Sequence, residues 1–385
     1  MAEKTTQIDT GSKAGAGGGL FLVTLPGLEP ELAAEAARQG FAGVTPMAGG
    51  VAVDGGLAEA ARANRELRSA VRVLWRVAAF RAMHLAQLDK RSRKVDWAAI
   101  LRAEVPVRVE AVCRKSRIYH HKAAAQRVAG AIADAGVPVS AEAGVVVKVR
   151  IEDDLCTISI DTTGEPLHRR GHKAFVGKAP LRETMAAAFL WRLGFDGTQA
   201  VVDPMCGSGT IPLEAAEIAA GLVPGRTRGF AWQGLSGGDA PGLSGDGAGD
   251  DAGLRYLESK EGGGRFFGFD RDAGAIRGAA ENAARAGVAG LCHFACQPIS
   301  DLQPPGGAPG IVLVNPPYGA RIGQRKLLFG LYGSLGTVLQ ERFAGWTVGI
   351  VTSDAGLAKA TGLDLTDEGS VAHGGMSVTL WTRRA

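Results

Sequence analysis

Apolar and polar positions follow two different rhythms along this chain. Between residues 20 and 165, short apolar runs mix with amphipathic stretches. The run at 20–25 predicts a strand, 29–39 a helix, and the runs around Val44 and at 51–53 two more short strands. Residues 57–70 repeat apolar positions at helical spacing, and 71–80 are rich in β-favouring side chains. Residues 96–104 read as helix. In the strand predicted over 105–113, Val107, Val109 and Ala111 share one face. A helix over 122–135 stops at Gly136, and strands at 145–151 and 155–161 flank the acidic turn Glu152-Asp153-Asp154. Such a mixture predicts a compact α+β module.

From residue 179 the rhythm changes. A helix is expected to start at Pro180, because proline suits a first helical position. An apolar strand at 200–202 then ends on Asp203, a helix follows at 213–220, and a strand at 266–269 ends on Asp270. A helix at 274–286 and a strand at 311–314 ending on Asn315 continue the series. Short, wholly apolar strands alternating with helices predict a doubly wound, mostly parallel sheet of the Rossmann-like α/β class. The Gly/Asp/Ser-rich stretch 234–265 interrupts this order and reads as a flexible insertion. The expected division is a disordered tail at 1–19, an α+β module at 20–165, and the α/β domain at 166–385.

A chain of 385 residues, 46% apolar and 21% charged, has ample material for two or three cores. The apolar run at 20–25 is too short for a signal peptide, and no run reaches membrane-spanning length, so a cytoplasmic protein with no membrane partner is expected. Five cysteines without a CxxC pair argue against a disulfide framework or a zinc site. Charge alters the picture more. Residues 62–122 hold sixteen Lys and Arg against five Asp and Glu, an excess of eleven within a chain of net charge +4. That excess suits a phosphate-bearing partner such as RNA, although a solvated arginine-rich face would read the same way.

Three strand ends carry candidate chemistry. Asp203-Pro204-Met205-Cys206-Gly207-Ser208-Gly209-Thr210 joins a strand to a helix, and its two glycines allow a tight turn and close approach of a ligand to backbone N–H groups. No lysine follows Gly209, which excludes a triphosphate loop. The acidic strand end suits a ligand with a cationic amino-acid portion. Asp270 occupies the position where doubly wound nucleotide sites place a carboxylate on ribose hydroxyls. Asn315-Pro316-Pro317-Tyr318-Gly319 offers the Asn315 side-chain oxygen and the Pro316 carbonyl as acceptors for an amine, with no proline N–H to compete, and Tyr318 as a stacking surface for a base. His168 and His172 stand four apart, but Arg169 and Arg170 between them disfavour a cation, and no metal is expected. Cys206 reads as a small packed residue rather than a nucleophile.

These motifs, with the helix Ala279-Ala-Glu-Asn-Ala-Ala-Arg-Ala-Gly287, resemble class I S-adenosylmethionine methyltransferases acting on exocyclic amines. Gly164-Glu-Pro-Leu-His-Arg-Arg-Gly171 and Ala179-Pro-Leu-Arg-Glu-Thr184 narrow the likeness to THUMP-containing guanine-N2 methyltransferases of large-subunit ribosomal RNA and tRNA. The resemblance implies a ferredoxin-like unit at 20–62, a THUMP domain at 63–165 and S-adenosylmethionine as cofactor. It assigns Asp203, Gly207 and Gly209 to the cofactor's methionine portion and Asp270 to its ribose, with Pro204, Cys206, Ser208 and Thr210 as further cofactor contacts. The segment 178–184 is implied to close over it. Where the family carries an acidic residue near the adenine amine, this chain reads Cys296-Gln-Pro-Ile-Ser-Asp301, with Pro298 at that place. Asp301 and Gln297 are the candidates to replace it. Arg114-Lys-Ser-Arg-Ile-Tyr-His120 resembles the RNA-holding part of a THUMP domain, which implies Arg114, Lys115, Arg117, His120 and Lys122 as RNA ligands.

The function expected is therefore methyl transfer to the N2 amine of a guanine in 23S ribosomal RNA, with Asn315, Pro316, Pro317 and Tyr318 at the reacting amine. A tRNA guanine, an adenine N6 of DNA, and a catalytically silent RNA-binding protein are the alternatives. No obligate protein partner is expected.

Overall fold

The computed structural model describes residues 18–177, 180–240, 243, 265–319, 325–373 and 375–385, together with the backbone of residues 6–7. Most of the expected tail, Lys178 and Ala179 of the expected closing segment, and residues 241–242 and 244–264 of the expected insertion lie outside the described residues. By contact the chain forms two compact units, one of residues 1–24, 32–167 and 228–247, the other of 25–31, 168–227 and 248–385.

The first unit is built on one mixed sheet. Its strands are β1 (Thr6–Gln7), β2 (Leu20–Val23), β3 (Thr45–Met47), β4 (Gly50–Val53), β5 (Arg72–Arg81), β6 (Val107–Arg114), β7 (Val145–Glu152) and β8 (Leu155–Asp161). They run in the order β3-β4-β2-β5-β8-β7-β6, with β1 pairing on β5. Every contact is antiparallel except β6 with β7. Helices α1 (Glu29–Arg38), α2 (Leu57–Glu66), α3 (Leu85–Ser92), α4 (Trp97–Ile100) and α5 (His121–Asp134) accompany it. Asp153 and Asp154, both at positive φ, form the two-residue turn between β7 and β8, as the twist of an antiparallel hairpin demands. The expected boundary at 62/63 falls inside α2, and the sheet runs unbroken across it. The expected helix at 96–104 is a single turn, because Leu101 leaves it to pair with Leu235.

Leu235 marks a second departure. Residues 234–240 were expected to begin a loose insertion, yet Trp232 and Leu235 are fully buried in the first unit's core. The backbone N–H of Trp232 bonds the Thr162 carbonyl, and Arg102 donates to the Leu235 carbonyl. Burial of large apolar side chains decides where this stretch sits, despite the glycines around it.

The second unit carries a sheet of β9 (Val201–Asp203), β10 (Phe266–Asp270), β11 (Cys292–Cys296), β12 (Ile311–Val314), β13 (Thr347–Thr352), β14 (Thr366–His373) and β15 (Met376–Arg383). The order is β11-β10-β9-β12-β13-β15-β14. The five strands from β11 to β13 are mutually parallel, and β15 and β14 are antiparallel additions at one edge. Apolar side chains alternate between the two faces. Val201, Ile311 and Leu313 pack with α6 (Glu183–Arg192), α7 (Thr210–Ala219) and α8 (Ala273–Ala286). Val202, Val312, Val314, Val348 and Ile350 pack with α9 (Arg325–Arg342) and α10 (Ala355–Ala360). Both faces are thus covered, as a parallel sheet requires. Helix α6 starts at Glu183 rather than at Pro180; Arg182 caps it in extended conformation, and residues 180–181 lie outside the helix. No helix among the described residues is long and apolar enough to cross a membrane.

Candidate active site

The chain leaves β9 and β12 in opposite directions across the sheet, so their carboxyl ends form a switch point with no crossover helix above it. Asp203 closes β9 and Asn315 follows β12. Both line one cleft, with Cys206, Gly207, Ser208 and Thr210 from the turn between β9 and α7. Gly207 and Gly209 both hold positive φ, which a branched side chain resists, and Gly209 caps α7. A Cβ on Gly209 would stand 2.9 Å from Leu213 and 3.1 Å from Ala279.

Asp203 is fully desolvated at the floor. Burial, opposed by one backbone hydrogen bond from Met205 and helped by the nearby Asp270 carboxylate, pushes its carboxyl up to about 8. Asp270 is held by two backbone donors, Gly207 N–H at 3.0 Å and Asp272 N–H at 3.0 Å. A carboxylate has lone pairs beyond those two, so Asp270 retains acceptor capacity. Two acidic groups at the mouth of one turn suit a ligand that brings positive charge. S-adenosylmethionine brings an ammonium and a sulfonium, and the donor set fits it.

The opposite wall includes Gly177, Pro180 and Leu181. This strap is fastened by a side chain that sequence reasoning quoted only as part of a motif. Asn282, fully buried on α8, accepts the backbone N–H groups of Ala174 and Phe175 at 3.2 Å each. Its amide donates to the carbonyls of Phe175 at 2.9 Å and Ser208 at 3.1 Å. One amide therefore ties the strap to the cofactor turn. Lys173 adds a second tie, with Nζ 2.6 Å from Thr210 Oγ1 and 2.8 Å from Glu183 Oε1. Preceding the strap, Arg170 pairs with Glu214 in full burial, and Glu217 holds both His172 and Arg226. His168 lies in a turn and His172 in irregular chain, neither on a helix, and His172 faces that ion pair. An unpaired Lys or Arg is a weak sequence signal; the alternation of Arg170, His172 and Lys173 with acidic residues on α6 and α7 was the available clue.

The other expected residues divide. Pro204 and Gly209 shape the turn, and Pro316 is buried behind Asn315. Pro317 is half-buried next to it. Tyr318 is half-buried against the cores on both faces of the sheet, and burial pushes its phenol up, so the ring stays neutral. Asp301 does not come to the cleft: it lies exposed on a short turn at 299–301, where it accepts from Ser300 Oγ. The other candidate, Gln297, bonds the Asp270 carbonyl through its backbone N–H. In the first unit, Arg114, Lys115, Arg117, His120 and Lys122 are brought together, all exposed, between β6 and α5.

Residues 170–381 match the family model described as RMKL-like, methyltransferase domain, more than half of the chain. The chain belongs to this family. Residues 19–74 match the RlmL ferredoxin-like domain. The slr0064 protein of Synechocystis, named as an RNA methyltransferase, is 31% identical over 94% of this chain and 95% of its own length. The ribosomal RNA large subunit methyltransferase K/L of Syntrophotalea carbinolica is 36% identical over 89% of this chain and 50% of its own length. The chain thus spans about half the length of the K/L relatives it matches. A solved structure, SMU.472, named as a methyltransferase and complexed with SAH, superposes with a TM-score of 0.81 at 25% identity, covering 96% of this chain and 98% of that one. This RMKL-like enzyme uses S-adenosylmethionine.

Asp203 couples stability to binding. With its folded value near 8 and its ordinary value near 3.8, the folded state keeps a proton that the unfolded chain has shed. Its contribution to stability is therefore complete below about pH 4 and is lost as pH rises toward 8. Asp203→Asn is expected to melt with the native enzyme at low pH and above it near pH 8, while binding S-adenosylmethionine more weakly throughout. Native affinity should rise between pH 6 and 8, by up to about ten-fold per pH unit, as the carboxyl ionises. Calorimetric titration across that range checks the sign. Asn282→Ala is expected to weaken S-adenosylmethionine about ten-fold or more, since it strands buried carbonyls on both sides of the cleft. Asn282→Asp should not rescue, because both donors are lost.

Proposed function

We propose that this methyltransferase transfers the methyl group to the exocyclic N2 amine of a guanine in large-subunit ribosomal RNA. The observation that carries the reading is the convergence of Asp203 and Asn315 on one cleft at adjacent strand ends. When bound, S-adenosylmethionine supplies an electrophilic methyl on a sulfonium. This chain's residues then have to hold, orient and dry the reactants. Asp203 is read as meeting the ammonium, Asp270 the ribose hydroxyls, and the turn from Pro204 to Thr210 the methionine portion.

At the other end of the cleft, the Asn315 side-chain oxygen and the Pro316 carbonyl accept the two N–H bonds of the amine. That arrangement turns the nitrogen lone pair toward the methyl group. Proximity and alignment of this kind account for several kcal/mol of a barrier, and no covalent enzyme intermediate is needed. The proton leaves after the methyl has transferred. The exposed half of Tyr318 gives the extruded base a face to stack on. The basic turn between β6 and α5 holds the RNA by its phosphates. The names of the K/L relatives and of slr0064 support RNA over DNA, and the reading implies a cytoplasmic enzyme.

Incubation with labelled cofactor and unmodified ribosomal RNA, tRNA or DNA, followed by digestion to nucleosides, tests the substrate. N2-methylguanosine from ribosomal RNA is expected; N6-methyladenine arising from DNA alone overturns the reading. Asn315→Ala is expected to slow single-turnover methylation by ~10²–10³, the equivalent of about 2–4 kcal/mol, with cofactor affinity unchanged. A variant that melts early yet methylates at the native rate removes Asn315 from catalysis.

A further inference from the structure

An aromatic ring stands nearly bare among cations in the first unit. Tyr119 is 82% exposed, the most exposed large apolar side chain among the described residues. It follows Arg114, Lys115 and Arg117 and precedes His120, His121 and Lys122, all of them exposed. A ring left in water has no packing role to explain it, and a Lys or Glu at that place would be better solvated.

The segment around it is rigid. Asp153 N–H reaches the Arg114 carbonyl, Asp154 N–H bonds Ser116 Oγ at 3.0 Å, and Arg117 N–H bonds Asp154 Oδ1 at 2.8 Å. These bonds lock residues 114–117 onto the β7–β8 turn, and Lys115 is held at positive φ. One residue before the ring, Ile118 is buried in the core. One residue after it, His120 Nδ1 accepts the Ala123 N–H and caps α5. With its neighbours anchored on both sides, Tyr119 is presented outward with little backbone freedom left to lose on binding. Of the carboxylates nearby, Glu152 pairs with Arg150 and Asp154 offsets Arg117, so the exposed Arg114, Lys115 and Lys122 outnumber the remaining Asp153.

We infer that Tyr119 is a stacking platform for an unpaired nucleobase, and that the basic turn at 114–122 takes single-stranded rather than duplex RNA. The inference rests on the RNA reading above and deepens it. Cations that track phosphates, interleaved with one free aromatic face, form the combination that holds single strands irrespective of sequence. A duplex keeps its base faces stacked inside and offers such a ring only its backbone and groove edges.

The full-length enzyme is titrated with a short unstructured RNA oligonucleotide and with a blunt duplex of the same sequence, at several salt concentrations. Tyr119→Ala is expected to weaken the oligonucleotide about ten-fold, to leave duplex affinity alone, and to keep the native salt slope, because no phosphate contact is lost. Tyr119→Phe should bind as the native enzyme does. Equal loss on both RNAs, or no loss on the oligonucleotide, overturns stacking. If Tyr119→Ala binds normally while Arg114→Glu with Lys115→Glu does not, the RNA reading stands and the platform falls. If the native enzyme binds neither RNA, both fall.

Discussion

Everything at the active site depends on the point where the parallel sheet reverses direction. Strands β9, β10 and β11 are laid down toward one edge, and β12 and β13 toward the other. Crossover helices cover the two faces, but none can cover the carboxyl ends of β9 and β12, because the connections there part company. An acidic residue on one end and an amide with a trailing carbonyl on the other then face a shared cleft, with no further device needed to bring them together. The antiparallel pair β15 and β14 enlarges the sheet at its far edge and leaves this geometry untouched.

The cleft would be half a site without its second wall, and that wall is irregular chain. Segments without regular structure carry unpaired backbone groups, which burial penalises unless side chains meet them. Here one asparagine on α8 meets two N–H groups of the strap and one carbonyl on each side of the cleft. The ion pairs of Arg170 with Glu214 and of Glu217 with Arg226 pin the approach to the strap. Buried pairs of this kind contribute little net stability, because desolvation offsets their attraction. Their effect is positional. Removing one partner leaves a buried charge, so the approach has few alternative paths.

Much of this was legible in the sequence, and the exceptions share a cause. Wholly apolar strands ending on Asp203, Asp270 and Asn315 announced a parallel sheet with its chemistry at one edge, and β12 falls on the residues expected. Asn282 was visible as a motif member without a role, since a side chain that bridges residues 74 and 107 positions away leaves no local pattern. Asp301, expected near the adenine for its acidity close to the right strand end, lies exposed on the short turn after β11. Pro180 obeyed a local preference that tertiary structure overrode: Pro180 and Leu181 line the cleft, and the helix opens only at Glu183. Leu235 was lost to the composition around it, because a glycine-rich neighbourhood masks a side chain whose burial, beside that of Trp232, fixes the start of the expected insertion.

The same feature gives the first unit its architecture. Its core is completed by residues 228–240, which follow α7 in the chain and not β8. A fragment cut at residue 165 would therefore lack Trp232 and Leu235, and the Thr162 carbonyl would lose the Trp232 N–H that now meets it. The unit that carries the basic turn consequently depends for its packing on chain that comes after the cofactor-turn helix. Interleaving of this kind means that neither unit's sequence is contiguous, and that substitutions at 228–240 act on the stability of the module presenting Tyr119 even though they lie in the catalytic half of the chain. A change such as Trp232→Ala removes one of the largest buried side chains of that core, a loss of about 3–5 kcal/mol in typical interiors, and would be felt at the basic turn through unfolding of its support rather than through any change in its charge.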